Sequence, residues 1–284
     1  MKTLLAIINE PLIPEEFLRY SFRMANDLNM NLHLSYILNS SVYPLDPGIT
    51  GAATQLLESR LQNERETVIT QLKERITDLQ NEMSLDILVE YSAEPGTADM
   101  LVNQYVDEKM IEMVVLYGND KSGVWTLGSD NMDIVLNVSC PVWIIPPGST
   151  YYRYEKIVYA TNYNQADIKT LKELINLTSK FSPQITALHV ADSLDVEEEI
   201  AKEGFRDAII KETLYDNIYI ETLIEKDDED LGETINDFAI SKNANLIVVL
   251  RENRNFLERL FRSSSTKKIV KEAQLPVLVF QEKS

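Results

Sequence analysis

Three glycines and a serine stand in this chain where a backbone could close around a phosphate. Gly118, Gly123, Gly128 and Ser129 punctuate the run Tyr117-Gly118-Asn119-Asp120-Lys121-Ser122-Gly123-Val124-Trp125-Thr126-Leu127-Gly128-Ser129. Glycine removes the Cβ that keeps a backbone away from a ligand. A helix starting after the loop offers unpaired N–H groups and the positive end of its dipole. The same composition also suits a plain turn. A second cluster has different chemistry. Arg251, Arg254, Arg259, Arg262, Lys267 and Lys268 gather in a chain that is otherwise acidic. Ser263 to Thr266 read as a helix cap, and a capped N-terminus among arginines can take an anion. The plainer reading is a solvated amphipathic turn, with Phe256, Leu257, Leu260 and Phe261 facing a core.

Little else points to bond chemistry. The two histidines, His33 and His189, have no Cys, His or carboxylate at metal-ligand spacing, so no metal site is expected. Both fall in apolar strand-like runs and read as satisfied strand histidines. Cys140 is alone, so no intrachain disulfide can form, which weakly favours a reducing compartment. No Gly-x-Ser-x-Gly elbow, Walker-type lysine or paired-carboxylate motif is visible. No catalytic residue is assigned, and a non-enzymatic protein is expected. The net charge of −18 repels phosphate backbones, which disfavours nucleic acid and anionic membranes as partners. No run approaches the roughly 20 apolar residues of a membrane helix. The opening apolar run, Leu4 to Ile8, is too short for a signal peptide and reads as a strand. The expectation is a cytoplasmic protein.

The elements that must position the loop are repeated. Leu4-Leu5-Ala6-Ile7-Ile8-Asn9 matches Ile157-Val158-Tyr159-Ala160-Thr161-Asn162. Helical stretches follow, Pro14 to Met30 and Ala166 to Phe181, and then the strands Leu34 to Leu38 and Ala187 to Val190. Asn9 and Asn162 stand 153 residues apart, as do Ile37 and Val190. Further on, Met113 and Leu246 stand 133 apart, and Pro141 and Pro276 stand 135 apart. The first copy therefore carries roughly 20 extra residues between its second and fourth strands, as insertions in duplicated domains do. They fall in 52–83, where Leu57, Leu61, Val68, Leu72, Ile76, Leu79 and Met83 form one stripe of a long helix. That helix either packs on a sheet with a solvated outer face or overhangs it to meet a partner.

Each copy thus reads β-α-β-α-β-α-β-α-β, which predicts a parallel, doubly wound five-stranded sheet. Ligands of such folds bind outside the carboxyl ends of the strands, where the strand order reverses. Asn9, Asn162 and the loops after Leu116 and Leu250 lie there. Pro146-Pro147-Gly148-Ser149 reads as a linker, giving domains 1–147 and 151–284.

In this order and spacing both halves resemble the universal stress protein family, in its tandem, two-domain form. The family pattern is a first strand ending in Asp and a fourth strand leading into G-x2-G-x9-G-(S/T). A short helix and a final Cys-Pro-Val-type strand follow. Ten residues separate Ser129 from Cys140 and Ser264 from Leu275, as in that pattern. The resemblance implies an adenine nucleotide such as ATP, with Asn9, Ile37, Gly118, Lys121, Gly123, Gly128 and Ser129 as its nucleotide-binding set. It departs from the family in carrying Asn9 and Asn162 for the Asp, which keeps hydrogen bonding and loses charge. One glycine of the first copy is missing, with Val115 or Tyr117 in its place. In the second copy Leu250, Asn253 and Ser263 replace all motif glycines, and ordinary ATP binding is expected to fail. Asn162, Arg251, Asn253, Arg254, Ser263 and Ser264 form a candidate second anion site. Two alternatives remain beside a nucleotide-binding stress-response protein: a ligand-free interaction scaffold, and a weak ATPase. Family domains commonly pair through their last strands. Here that implies an intramolecular pseudo-dimer with Val142 to Ile145 near Val277 to Phe280. A homodimer of chains is left open, and protein partners are not identified.

Overall fold

The computed structural model describes residues 2–8, 13–38, 51–108, 110–121, 124–126, 129–191, 193–224, 231–251 and 275–282. The chain divides into two compact units. One comprises Met1–Tyr117 with Gly128–Cys140, the other Gly118–Leu127 with Pro141–Ser284.

In the first unit the order is β1 (Thr3–Ile8), α1 (Glu15–Leu28), β2 (Asn31–Leu38), α2 (Gly51–Met83), β3 (Val89–Pro95), α3 (Ala98–Glu108) and β4 (Ile111–Tyr117). After the loop segment comes α4 (Ser129–Asn137). The strands pair in parallel in the order β4-β1-β2-β3. Leu4 to Ile8 are buried on both faces of β1, as an unbroken apolar run requires. Helix α1 turns Phe17, Leu18, Tyr20, Phe22 and Met24 inward. It ends at Asn29, whose φ of 56° is left-handed. The N–H of Met30 donates to the Ala25 carbonyl and that of Asn29 to the Asn26 carbonyl. This is the double closure that an αL residue permits at a helix end.

The long helix α2 uses only part of its stripe. Val68, Leu72, Ile76 and Leu79 are buried, whereas Leu57, Leu61 and Met83 are half-buried. Bidentate hydrogen bonds from Arg19 to Glu82, at 2.6 Å each, tie its C-terminal end to α1. They hold the Glu82 carboxyl below the usual carboxylate range.

The second unit contains β5 (Asn119–Lys121), β6 (Val124–Thr126) and β7 (Val142–Ile145). It continues with β8 (Lys156–Ala160), α5 (Gln165–Thr178), β9 (Gln184–Ala191), α6 (Val196–Thr213), β10 (Ile218–Ile224), α7 (Leu231–Ser241), β11 (Leu246–Arg251) and β12 (Val277–Gln281). Its main sheet runs β10-β9-β8-β11-β12-β7, with β7 alone antiparallel. Trp143 of β7 stands opposite Leu278 of β12. Trp143 is fully buried, with its ring 4.7 Å from that of Tyr154. The fold is the expected α/β architecture in both halves. The fourth helix expected of the second copy falls on 252–274, outside the described residues.

Candidate functional site

In each unit the chain leaves its first strand toward one side and returns on the other. The order reverses between β1 and β4 in the first unit and between β8 and β11 in the second. The carboxyl ends of these pairs are the candidate sites.

At the first, β1 ends at Ile8 and β4 at Tyr117. Asn131 of α4 is 2% exposed, and its side-chain amide donates to the Tyr117 carbonyl at 2.9 Å. One turn into α4, this bond fixes the helix start beside the end of β4. The Tyr117 hydroxyl donates to the Glu16 carboxylate, and its ring lies 5.4 Å from that of Phe17. The next residue, Gly118, is buried, and its N–H donates to the Ile145 carbonyl at 2.9 Å. The segment beyond it forms a hairpin, with Asn119 opposite Thr126 and Lys121 opposite Val124. Of the expected nucleotide set, Ile37 is buried near the carboxyl end of β2 and Lys121 ends β5. Ser129 opens α4, as the motif spacing expects. Asn9, Gly123 and Gly128 lie outside the described residues.

At the second candidate site the anchoring group is one that sequence reasoning passed over. Asp167, 1% exposed, sits in the first turn of α5. Its carboxylate accepts from the Tyr159 hydroxyl at 2.7 Å, the Thr161 hydroxyl at 2.8 Å and the Asn162 N–H at 3.0 Å. A longer bond of 3.3 Å from the Asn164 N–H closes a capping box, because Asn164 Oδ1 accepts from the Asp167 N–H at 2.8 Å. A buried carboxylate is tolerable when donors surround it in this way. The pattern Asn-x-x-Asp before an apolar helix was the signal that could have found it.

Tyr163 follows with φ of 58°, a left-handed conformation rarely taken by a bulky residue. Its N–H donates to the Thr161 hydroxyl oxygen at 3.0 Å. Its ring is 4.6 Å from that of His189 and 5.1 Å from that of Phe205, and its hydroxyl bonds Thr222 at 2.9 Å. Burial raises the Tyr163 phenol above its ordinary range, and Glu198 and Glu199 add to the shift. His189 Nδ1 faces the Thr161 carbonyl at 2.8 Å, so that nitrogen carries the hydrogen. His189 Nε2 lies 3.3 Å from Glu198. The bond to Thr161 fixes the ring, as expected of a strand histidine. Of the proposed second anion set, Asn162 is exposed at the end of β8 and Arg251 closes β11, while Asn253, Arg254, Ser263 and Ser264 lie outside the described residues.

Among the described residues no three His, Cys, Asp or Glu side chains converge as metal ligands. His33 is buried between Glu90 at 3.3 Å and Ser92 at 3.0 Å. Cys140 is buried, and desolvation pushes its thiol up to about 12. No described helix is long and apolar enough to cross a membrane.

Comparison with known proteins agrees with this architecture. The model of the universal stress protein family matches residues 153–281. A universal stress protein of Methanocaldococcus jannaschii is 26% identical over 141 residues, spanning 45% of this chain and 83% of that relative. Among solved structures, a universal stress protein from Archaeoglobus fulgidus is similar over 98% of this chain and 96% of its own, with a TM-score of 0.64 and 12% identity. The cytoplasmic domain of a prokaryotic cation chloride cotransporter is similar over 98% and 94%, with a TM-score of 0.55 and 12% identity. At such identities the likeness is one of fold, and this fold carries more than one role.

Proposed function

We propose, from the premise that the chain belongs to the universal stress protein family through its second half, that it is a cytoplasmic stress-response protein. In this reading the first domain binds an adenine nucleotide or another small anion and acts through conformation or partners. No bond chemistry of its own is assigned. The observation that carries the reading is the start of α4 at Ser129, tied through Asn131 to the end of β4. That arrangement supports an anion placed at the positive N-terminal end of α4. Asn9, Ile37, Gly118, Lys121, Gly123, Gly128 and Ser129 are the residues proposed to surround it. The domains proposed are 1–147 and 151–284, joined as an intramolecular pseudo-dimer. The antiparallel register of Val142–Ile145 with β12 supports that pairing.

Chromatography of the nucleotides released when the purified protein is denatured tests the ligand. One adenine nucleotide per chain, lost in Gly128→Ala, is the expected result. No nucleotide, with no thermal shift in ATP and Mg²⁺, would overturn it. A ligand-free scaffold is the second reading. It is favoured by the outer half of α2, where Leu56 is 54% exposed and no described side chain from 55 to 67 is buried.

A further inference from the structure

The carboxyl ends of β8, β9 and β10 hold an aromatic side chain where a ligand of this fold would approach. His189 and Thr222 are register partners on β9 and β10, so both present their side chains to the same face of the sheet. Phe205, 4% exposed, reaches the same place from α6. The Tyr163 ring rests on His189 and Phe205, with its hydroxyl on Thr222. Those are the contacts that recognise a flat ring with one polar edge: two aromatic faces and one hydroxyl. The backbone beneath is held in a conformation that a tyrosine enters only when its surroundings over-determine it.

We propose that Tyr163 is a built-in ligand: its phenol ring fills a slot in the second domain that, when vacated, takes a small neutral phenol or heteroaromatic ring. The field at the slot sets the class of ligand. Glu198 stands 3.3 Å from His189, and both Glu198 and Glu199 are close enough to disfavour the phenolate of Tyr163. The same acids repel a phosphate. The slot is thereby distinct in ligand class from the nucleotide site proposed in the first domain and does not depend on it.

Tyr163→Gly removes the ring and also suits the backbone, because glycine adopts positive φ without strain. The probe is 4-methylphenol, the tyrosine side chain as a free molecule. Followed by NMR of the full chain, the glycine variant should titrate with a Kd of roughly millimolar order. Its shifts should centre on His189, Phe205 and Thr222. The unmutated protein should show none of these shifts at the same concentrations. Toluene, which cannot bond Thr222, should bind the variant several-fold more weakly. ATP should leave these three residues unmoved. A folded glycine variant that ignores 4-methylphenol would overturn the proposal. Equal binding by the unmutated protein would do so as well, as would ATP shifts at the same residues. If the variant does not fold, the unmutated protein still decides. Nuclear Overhauser contacts from the Tyr163 ring to His189 and Phe205 are required, and their absence would refute the filled slot.

Discussion

The two strand-reversal points of this chain began as one sequence pattern and now differ in what holds them. In the first unit a buried amide, Asn131, fastens the end of β4 from the helix that follows it. In the second a buried carboxylate, Asp167, gathers four donors around the end of β8 from the helix that follows that strand. The first arrangement leaves a helix start beside the strand ends. The second stitches the strand end down and supports an aromatic residue lying over the sheet. In the proposed reading the first copy keeps the geometry of a binding site and the second has turned it into packing.

The largest break in this comparison should come from Asp167→Ala. It leaves the Tyr159 and Thr161 hydroxyls and two N–H groups without their acceptor. A loss of about 3 kcal/mol is expected, read as the urea midpoint of the second unit. An unchanged midpoint would mean the network is incidental. Asn131→Ala removes the neutral amide that donates to the Tyr117 carbonyl and should cost about 1 kcal/mol, confined to the first unit. If Asn131→Ala cost as much as Asp167→Ala, the asymmetry between the units would disappear.

The smallest effect concerns pH. The Asp195 side chain accepts from the Glu198 N–H at the start of α6, the helix that carries Phe205. That bond first, and the Ser193 hydroxyl after it, hold the Asp195 carboxyl below its usual value. A depressed carboxylate contributes stability above its unfolded pKa near 4 and loses it as pH falls through the folded value. Thermal midpoints at pH 7 and pH 3 should therefore converge slightly in Asp195→Asn relative to the unmutated chain. Identical slopes would remove the cap from the account.

Much of the fold was legible because it depends on local and repeated signals. Two-sided burial made β1, β4, β8 and β11 continuous apolar runs, and matched pairs 153 residues apart early and 133 to 135 apart late exposed the duplication. The long helix announced itself through the spacing of Val68, Leu72, Ile76 and Leu79. The site was less legible. The glycine-containing segment reads as a phosphate loop or a turn, yet Asn119 to Thr126 pair as a hairpin, since no period-2 pattern of apolar residues marks such short strands. Tyr163 was invisible for a different reason. Nothing local predicts a left-handed tyrosine, because its conformation is set by His189, Phe205 and Thr222, which arrive from two strands and a helix distant in sequence. Asp167 was within reach of the capping rule, but Asn-x-x-Asp spacing marks any ordinary helix cap and carries no sign that the carboxylate is buried.

Calorimetric titration of the full chain with ATP and Mg²⁺ tests the division of labour between the two domains most directly. The expected stoichiometry is one per chain, unchanged by Tyr163→Gly and lost in Gly128→Ala. A stoichiometry of two, or binding that survives Gly128→Ala, would place the nucleotide in the second domain and contradict a slot filled by Tyr163. Absence of binding would contradict the reading of the first.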